Sequence, residues 1–155
     1  MATTKIPDGT LSSFQWVDID KMLVEYNPNR YHLYASLFPE ENKGSVRDMK
    51  LSPMFEFVKD YNDCKKQGRK FLDTETRYYK MQMLYGREHH YAVAKMSNFI
   101  KLLEDVAKNG LTDTPVVIEE EGGKFQIRDG HHRIACCMAL GHTKLVCRII
   151  KGQIK

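Results

Sequence analysis

The chain has 155 residues, enough for one domain with a core of ordinary size. Its 42% hydrophobic and 28% charged residues are typical of a soluble globular protein and exclude an intrinsically disordered one. The net charge of +4 comes from 24 basic and 20 acidic residues spread over both halves. The composition therefore gives only weak support to nucleic-acid binding.

The start of the chain and its cysteines predict a cellular compartment. The opening "MATTKIPDGTLSS" lacks the apolar region of a secretion signal, and no apolar run approaches the ~20 residues of a membrane helix. Among the four cysteines, Cys136 and Cys137 are neighbours in a predicted helix, where they point in different directions. We expect a reduced, cytoplasmic protein with buried thiols and no membrane partner.

The N-terminal third gives short and partly ambiguous signals. A strand is predicted at Phe14–Val17, followed by a helical turn capped by Asp18 or Asp20. The segment "SPMFEFVKDYNDCKKQG" is typical of a helix, with Ser52 as its cap and Pro53 in its first position.

Two further helices are predicted before residue 110. Asp73 or Thr74 can cap the first, which runs to Leu84 and stops near Gly86. The second carries one apolar stripe at helical spacing and ends at Asn109-Gly110. Its stripe consists of Ala92, Met96, Phe99, Leu103 and Val106.

The pattern then changes to strands. "TPVVIEE" and "KFQIR" are rich in β-branched and aromatic residues, and "EEGG" between them supplies a tight hairpin. A helix from His131 to Leu140 and a last strand, "TKLVCRII", complete the chain. The order helix, strand, strand, helix, strand with short connections predicts a compact α+β domain with a mixed sheet.

The turn from Asp129 to Arg133 joins a strand to a helix. Gly130 lets the backbone turn sharply, and the free N–H groups of the first helical turn attract a phosphate. Arg133 can add a charge-assisted hydrogen bond, and His131 and His132 can donate hydrogen bonds or move protons. Phosphate chemistry is therefore one interpretation of this turn.

Asp129 has several chemical uses at this place. Its carboxylate can hold a magnesium ion, or it can accept a proton from a hydroxyl group. It can equally be an ordinary helix cap before Gly130, with Arg133 in solvent. So short a motif often matches by chance, and the residues alone leave both interpretations open.

Zinc and cysteine chemistry are disfavoured. His132 and Cys136 share a helix face and Cys147 could join them, but the chain has neither a C-x-x-C nor an H-x-x-x-H pair. Cys136 and Cys137 lie inside a helix, where apolar packing is the usual role. We predict that no cysteine is catalytic.

The run "RYYKMQMLYGRE" interleaves basic and aromatic residues. Such a run could hold a nucleotide base and phosphates, and Tyr79 is the candidate substrate contact. It also fits a helix with one buried aromatic face and one charged face. His89 and His90, which follow it, are more typical of a solvated helix start than of ligands.

The segment from about Tyr85 to Ile150 resembles the ParB/sulfiredoxin-like domain superfamily. The resemblance rests on "KNGLTDTPVVI", on "EEGGKFQIRDGHHRIACCMALG" and on the closing strand "HTKLVCRII". ParB partition proteins carry Gly-Glu-Arg-Arg at the turn, and sulfiredoxins carry Gly-Cys-His-Arg. The free-serine kinases carry Asp-Gly-His-x-Arg, and residues 129–133 are most similar to that branch.

The resemblance implies that this turn cradles nucleotide phosphates, with ATP, ADP or CTP and Mg²⁺ as cofactors. His131 stands where sulfiredoxins have their cysteine, so sulfinic-acid repair is disfavoured. The chain ends at Lys155 without a clear helix-turn-helix, so a ParB-like DNA clamp is disfavoured and DNA is the weaker partner. The implied phosphate contacts are Gly130, His131, His132 and Arg133.

The resemblance also suggests how the chain is organised. ParB-like proteins place an arginine-containing loop where "YGREHH" lies, so Arg87 is a candidate phosphate partner and Glu88 a candidate general base. "WVDIDKMLVEYNPNR" resembles the opening strand and Asn-Pro-x-Arg segment. Residues 14–30 and 85–155 are then the nucleotide-binding core of one unit, 1–155, and 31–84 are a mostly helical insertion packed on it.

Two functions follow as expectations. The first is a nucleotide-dependent kinase for a small hydroxyl compound, with Asp129, Glu88 or His131 in catalysis and Asp129 as the metal ligand. The alternative is a regulatory or DNA-associated module that binds or hydrolyses the nucleotide. A nuclease is disfavoured because the sequence shows no clustered carboxylates for a two-metal site.

Overall fold

The computed structural model describes residues 12–25 and 46–150, and these form an α+β fold around one mixed sheet, as predicted. The strands are β1 (Ser12–Asp18), β2 (Met22–Glu25), β3 (Val46–Asp48), β4 (Val116–Glu119), β5 (Phe125–Asp129) and β6 (Lys144–Ile150). The helices are α1 (Pro53–Gln67), α2 (Arg77–Leu84), α3 (His89–Asn109) and α4 (His131–Ala139).

Among the described residues the strands follow the order β1-β6-β4-β5-β2-β3. β6 pairs antiparallel with β1 and parallel with β4, and β5 pairs antiparallel with β4 and parallel with β2. The β4–β5 hairpin of the prediction is therefore central, and the predicted element order from residue 91 onward is confirmed. β2 was not predicted, because its four residues give too short a periodic signal.

One apolar core lies between the helices and one face of the sheet. Its centre is a set of aromatic rings from three helices: Phe57 of α1 stacks on Phe99 of α3 at 5.4 Å between centroids, and Tyr78 of α2 lies within 5.1–5.4 Å of both. α4 packs against α1 and α3 beside these rings. Tyr78 and Phe99 also contact His132, in the first turn of α4, and so help to fix where this helix begins.

Helix caps follow the sequence in one case and differ in another. The Ser52 hydroxyl accepts a hydrogen bond from the Phe55 N–H at 3.1 Å, so the predicted cap of α1 is confirmed. The cap of α2 is Thr76, and the prediction of Asp73 or Thr74 was wrong. Residues 73–75 form a 3-10 turn instead, and the Thr76 hydroxyl that follows it accepts a hydrogen bond from the Tyr79 N–H at 3.2 Å.

Part of the predicted insertion is described. Residues 46–84 contain β3, at the sheet edge beside β2, as well as α1 and α2. The ambiguous segment 31–44 and the Asn-Pro-x-Arg segment at 27–30 lie outside the described residues. The division into a core and an insertion stays a prediction.

Candidate functional site

A single residue, Gly130, connects β5 to α4. Its backbone has φ 97° and ψ 21°, in the left-handed region that L side chains rarely adopt. A Cβ at this position would also lie 3.2 Å from Cβ of the buried Pro115. Conformation and space therefore both favour glycine at the predicted turn.

The N-terminus of α4 has free backbone donors. The Ile134 N–H makes the first helical hydrogen bond, to the Gly130 carbonyl at 2.9 Å, so the N–H groups of His131, His132 and Arg133 have no partner within the helix. Side chains cap α1 and α2, whereas no side-chain hydrogen bond caps α4. These donors and the helix dipole are therefore free to meet an anion.

This helix end opens into a cavity of about 720 Å³. One wall is the turn at residues 129–133, and the other consists of α3 residues between 95 and 106 with the loop that follows the helix. The structure therefore brings together all five residues of the predicted turn. The cavity is lined by Lys95, Leu102, Asp105, Val106, Gly110, Leu111, Thr112, Asp129, Gly130, His131, His132 and Arg133.

Two cations line the cavity. The Arg133 side chain is 10% exposed, and its Nη2 lies 3.5 Å from Oδ2 of Asp113, whose side chain is 42% exposed. Lys95 projects from α3, and its charge helps to lower the pKa of His132. Asp105 and Asp129 also line the cavity, so its two cations are matched by two carboxylates.

His132 is fixed by neighbours from two helices. Its Nε2 and the Tyr78 hydroxyl form a hydrogen bond of 3.0 Å, and its ring meets Phe99 edge-on at 4.6 Å. Burial, followed by the nearby positive charge of Lys95, lowers its pKa to about 4. His132 is therefore neutral at pH 7, and its ring holds the helix start against the aromatic core.

His131 has a different environment. Burial lowers its pKa as well, and the carboxylate of Asp129 opposes this shift in part. A neutral imidazole can accept a proton or a hydrogen bond but brings no positive charge to a phosphate. The charge for an anion in this cavity therefore comes from Arg133, Lys95 and the helix end.

The other predicted site residues lie outside the lining of this cavity. The Arg87 guanidinium carbon is 4.9 Å from the centre of the Tyr91 ring, and the Tyr79 hydroxyl forms a 2.8 Å hydrogen bond with His89 Nδ1. Exposed Glu88 precedes α3, with its Oε2 at 3.4 Å from His90 Nε2. These residues lie together at the α2–α3 junction, and the Tyr91 ring that contacts Arg87 also lies 5.9 Å from Nζ of the cavity residue Lys95.

The thiols of the described residues are buried. All four cysteines are buried and unpaired, and burial raises the pKa of Cys136 to about 12, of Cys137 to about 11 and of Cys147 to about 12. Such thiols stay protonated and are poor nucleophiles. Within residues 12–25 and 46–150 no three His, Cys, Asp or Glu side chains form a group that could hold a metal ion.

The cavity contains residues that sequence reasoning missed. Lys95 precedes Met96 of the buried stripe on α3, so the predicted helix already placed a cation at the border of its apolar face. Asp105 lies on the same helix and Thr112 in the next loop. Their closeness to the turn depends on how α3 packs against α4, which local periodicity does not report.

Comparisons with known proteins gave no relative: no family model matches the sequence, and neither a curated protein nor a solved structure matches it. The resemblance to the ParB/sulfiredoxin-like superfamily thus rests on the sequence motifs and stays a prediction. Across the described ranges, no helix combines the length and apolar character needed to cross a membrane.

Substitution at Gly130 tests the geometry of the turn. Gly130→Ala should lower the free energy of unfolding by more than the ~1–2 kcal/mol of a left-handed alanine, because its Cβ would also press on Pro115. Gly141→Ala is the matched control, with the same φ of 97° and no atom near its Cβ. Urea unfolding of both variants measures the difference, and equal losses would refute the close contact.

The state of His132 makes stability depend on pH. Its folded pKa of about 4 lies below its ordinary value of 6.5, so between these values the unfolded chain binds a proton that the folded chain does not. The free energy of unfolding should thus fall as the pH drops from 6.5 to 4, by on the order of 3 kcal/mol. Urea unfolding against pH measures the loss, and NMR assigns the titration. A His132 that titrates at or above pH 6.5 would contradict the buried, neutral ring.

Proposed function

We propose that the cavity at the start of α4 binds the phosphates of a nucleotide, ATP, ADP or CTP, and that the protein transfers phosphate to a small hydroxyl compound. One observation carries the proposal: the uncapped helix end, the largely buried Arg133 and the carboxylate-bearing Asp129 all open into one cavity. A volume of about 720 Å³ is typical of small-molecule sites.

Binding uses the free donors of the first helical turn. The N–H groups of residues 131–133 and the Arg133 guanidinium donate to phosphate oxygens, and Lys95 adds a point charge. Mg²⁺ fits the donor set only in part. Asp129 would supply one carboxylate ligand, and phosphate oxygens and water would supply the others. When bound, the ion neutralises charge on the transferred group.

Transfer requires an acceptor oxygen in line with the terminal phosphorus. The substrate hydroxyl attacks this phosphorus, its proton passes to a base, and the bond to the bridging oxygen breaks, so that ATP or CTP leaves as the diphosphate and ADP leaves as the monophosphate. Asp129 is the favoured base because it lines the phosphate cavity. Neutral His131 is a second acceptor in the same cavity, and Glu88 lies outside its lining.

A regulatory module that binds the nucleotide without transfer is the second candidate. The observation that favours it is the position of Tyr79, Arg87 and Glu88, which gather at the α2–α3 junction and do not complete an acceptor site at the turn. Cytoplasmic location and a DNA partner remain predictions under either function.

Variants of the Arg133–Asp113 pair test nucleotide binding. Arg133→Gln should weaken binding by about 1.5–3 kcal/mol, the range for hydrogen bonds to charged groups, as measured by calorimetry with and without Mg²⁺. Asp113→Asn is the matched variant and should bind at least as tightly as the wild type, since it removes a negative charge 3.5 Å from the guanidinium. Unchanged affinity in a folded Arg133→Gln protein would reduce the turn to a helix start without a ligand.

Variants of the two candidate bases test transfer separately from binding. Asp129→Asn should retain the nucleotide and lose roughly a hundred- to ten-thousand-fold in turnover, whereas Glu88→Gln should stay near the wild-type rate. The assay is release of ADP from ATP, CDP from CTP or AMP from ADP across a panel of hydroxyl-bearing metabolites. A wild type that binds nucleotide but consumes none with any acceptor would favour the regulatory module, and loss of turnover only in Glu88→Gln would move the base to the α2–α3 junction.

A further inference from the structure

The β1–β6 pair has one buried and one exposed face. Residues alternate between the faces of a strand, and Val17, Leu145 and Cys147 point into the core. The opposite positions carry Phe14 and Trp16, on an edge strand of the described sheet. Two aromatic rings thus point outward from a rigid sheet, at exposed positions where polar residues are usual.

These rings are unusually exposed. Trp16 is 70% exposed and Phe14 63%, more than any other large hydrophobic residue of the described part, and neighbouring Val146 is 39% exposed. In the β1–β6 register Trp16 pairs with Val146 and Phe14 with Arg148. The rings therefore form one continuous patch, which we call the β1–β6 face, with Val146 and Arg148 beside them.

The β1–β6 face also carries positive charge. The Arg148 guanidinium carbon lies 5.8 Å from the centre of the Phe14 ring, and Lys144 stands on the same face four residues earlier. Within the described residues neither cation forms an ion pair, and Asp18, which pairs with Lys144 in the register, is the acid nearest along these two strands. Aromatic rings and unpaired cations therefore lie side by side.

The patch is small for a second copy of this chain. Aromatic side chains bury about 150–250 Å² each when fully covered, so these partly exposed rings with Val146 offer roughly 300–400 Å². A stable protein interface needs about 800 Å² per partner and a core poor in charge. In a symmetric dimer two positively charged faces would also meet, and their repulsion disfavours a second copy of the chain at this face.

We propose that the β1–β6 face binds single-stranded nucleic acid. Bases stack on Phe14 and Trp16, and Arg148 and Lys144 contact the phosphates on either side. Duplexes are excluded because their bases are already stacked on one another and cannot lie on the rings. None of these residues lines the cavity at the start of α4, so this proposal does not depend on the proposed function.

The test uses the intact protein and its own reporter. The chain contains one tryptophan, Trp16, so quenching of its fluorescence by a 15-nucleotide oligouridylate directly monitors stacking on this face. Quenching should saturate, should be absent with the same strand in a duplex, and should weaken with salt. Each cation that contacts a phosphate contributes about −0.7 to the slope of log K against log salt.

Variants then locate the contact, with anisotropy of a labelled strand as the readout. Phe14→Ala should weaken binding roughly 5- to 150-fold, the effect of one lost base stack, and Arg148→Gln should make the salt slope shallower by about 0.7. Tyr91→Ala and Lys101→Gln are the matched controls, an exposed ring and an exposed cation on α3, and should bind as the wild type does. Circular dichroism confirms that each variant is folded.

Three results would overturn the proposal. Absence of quenching and of binding at low salt would remove the site. Equal affinity for single strand and duplex would replace stacking by nonspecific charge attraction. A dimer in sedimentation that Phe14→Ala dissociates would assign the face to a second copy of the chain.

Discussion

The site depends on the one-residue connection at Gly130. Because β5 ends at Asp129 and α4 begins at His131, the strand carboxylate and the helix donors must lie beside each other. A longer loop would let the helix start elsewhere. A side chain at position 130 would contact Pro115, the residue that precedes β4. The tight turn that crowds a Cβ here is thus the same feature that holds an acid and an anion-attracting helix end together.

The adjacent histidines show how different contacts separate two roles that the sequence leaves equal. His132 points back to the aromatic core, where Tyr78 satisfies its nitrogen and Phe99 packs on its ring. His131 stays beside Asp129 in the cavity lining. A tandem pair on a helix must diverge in this way, since successive residues point about 100° apart around the axis. The His132 ring therefore holds the start of α4 in place, and with it the position of His131 in the cavity.

The parts that the sequence predicted are those set by local patterns. The stripe on α3, the β4–β5 hairpin and the Ser52 cap all depend on residues close along the chain, and each was found in its place. β2 was missed because its four residues give too short a signal and its partner β5 is distant in sequence, and Thr76 was missed because several capping residues stand in a row before α2. Prediction of the cavity was limited in the same way. A short motif indicated the turn, but no local pattern indicated the residues of α3 that face it.

The prediction that Arg87 and Glu88 lie with the turn rested on their sequence position, which matches that of an arginine-containing loop in ParB-like proteins. The structure gives both residues nearer partners at the α2–α3 junction, in Tyr91 and His90. Motif order along a chain carries no information about the angle between α2 and α3, which the packing of Tyr78 against Phe57 and Phe99 helps to determine. The turn at residues 129–133 could therefore be predicted from the sequence, whereas the residues that lie near it in space could not.

The buried thiols have a consequence for how the fold can be observed. Cys64 lies in α1, Cys136 and Cys137 in α4, and Cys147 in β6, so separate elements each carry a chemical label that solvent cannot reach in the native state. An alkylating reagent must wait until an element opens, and its rate of reaction then follows the frequency of that opening. Mass spectrometry of partly modified protein would read the order in which helix and sheet come apart, without any added probe.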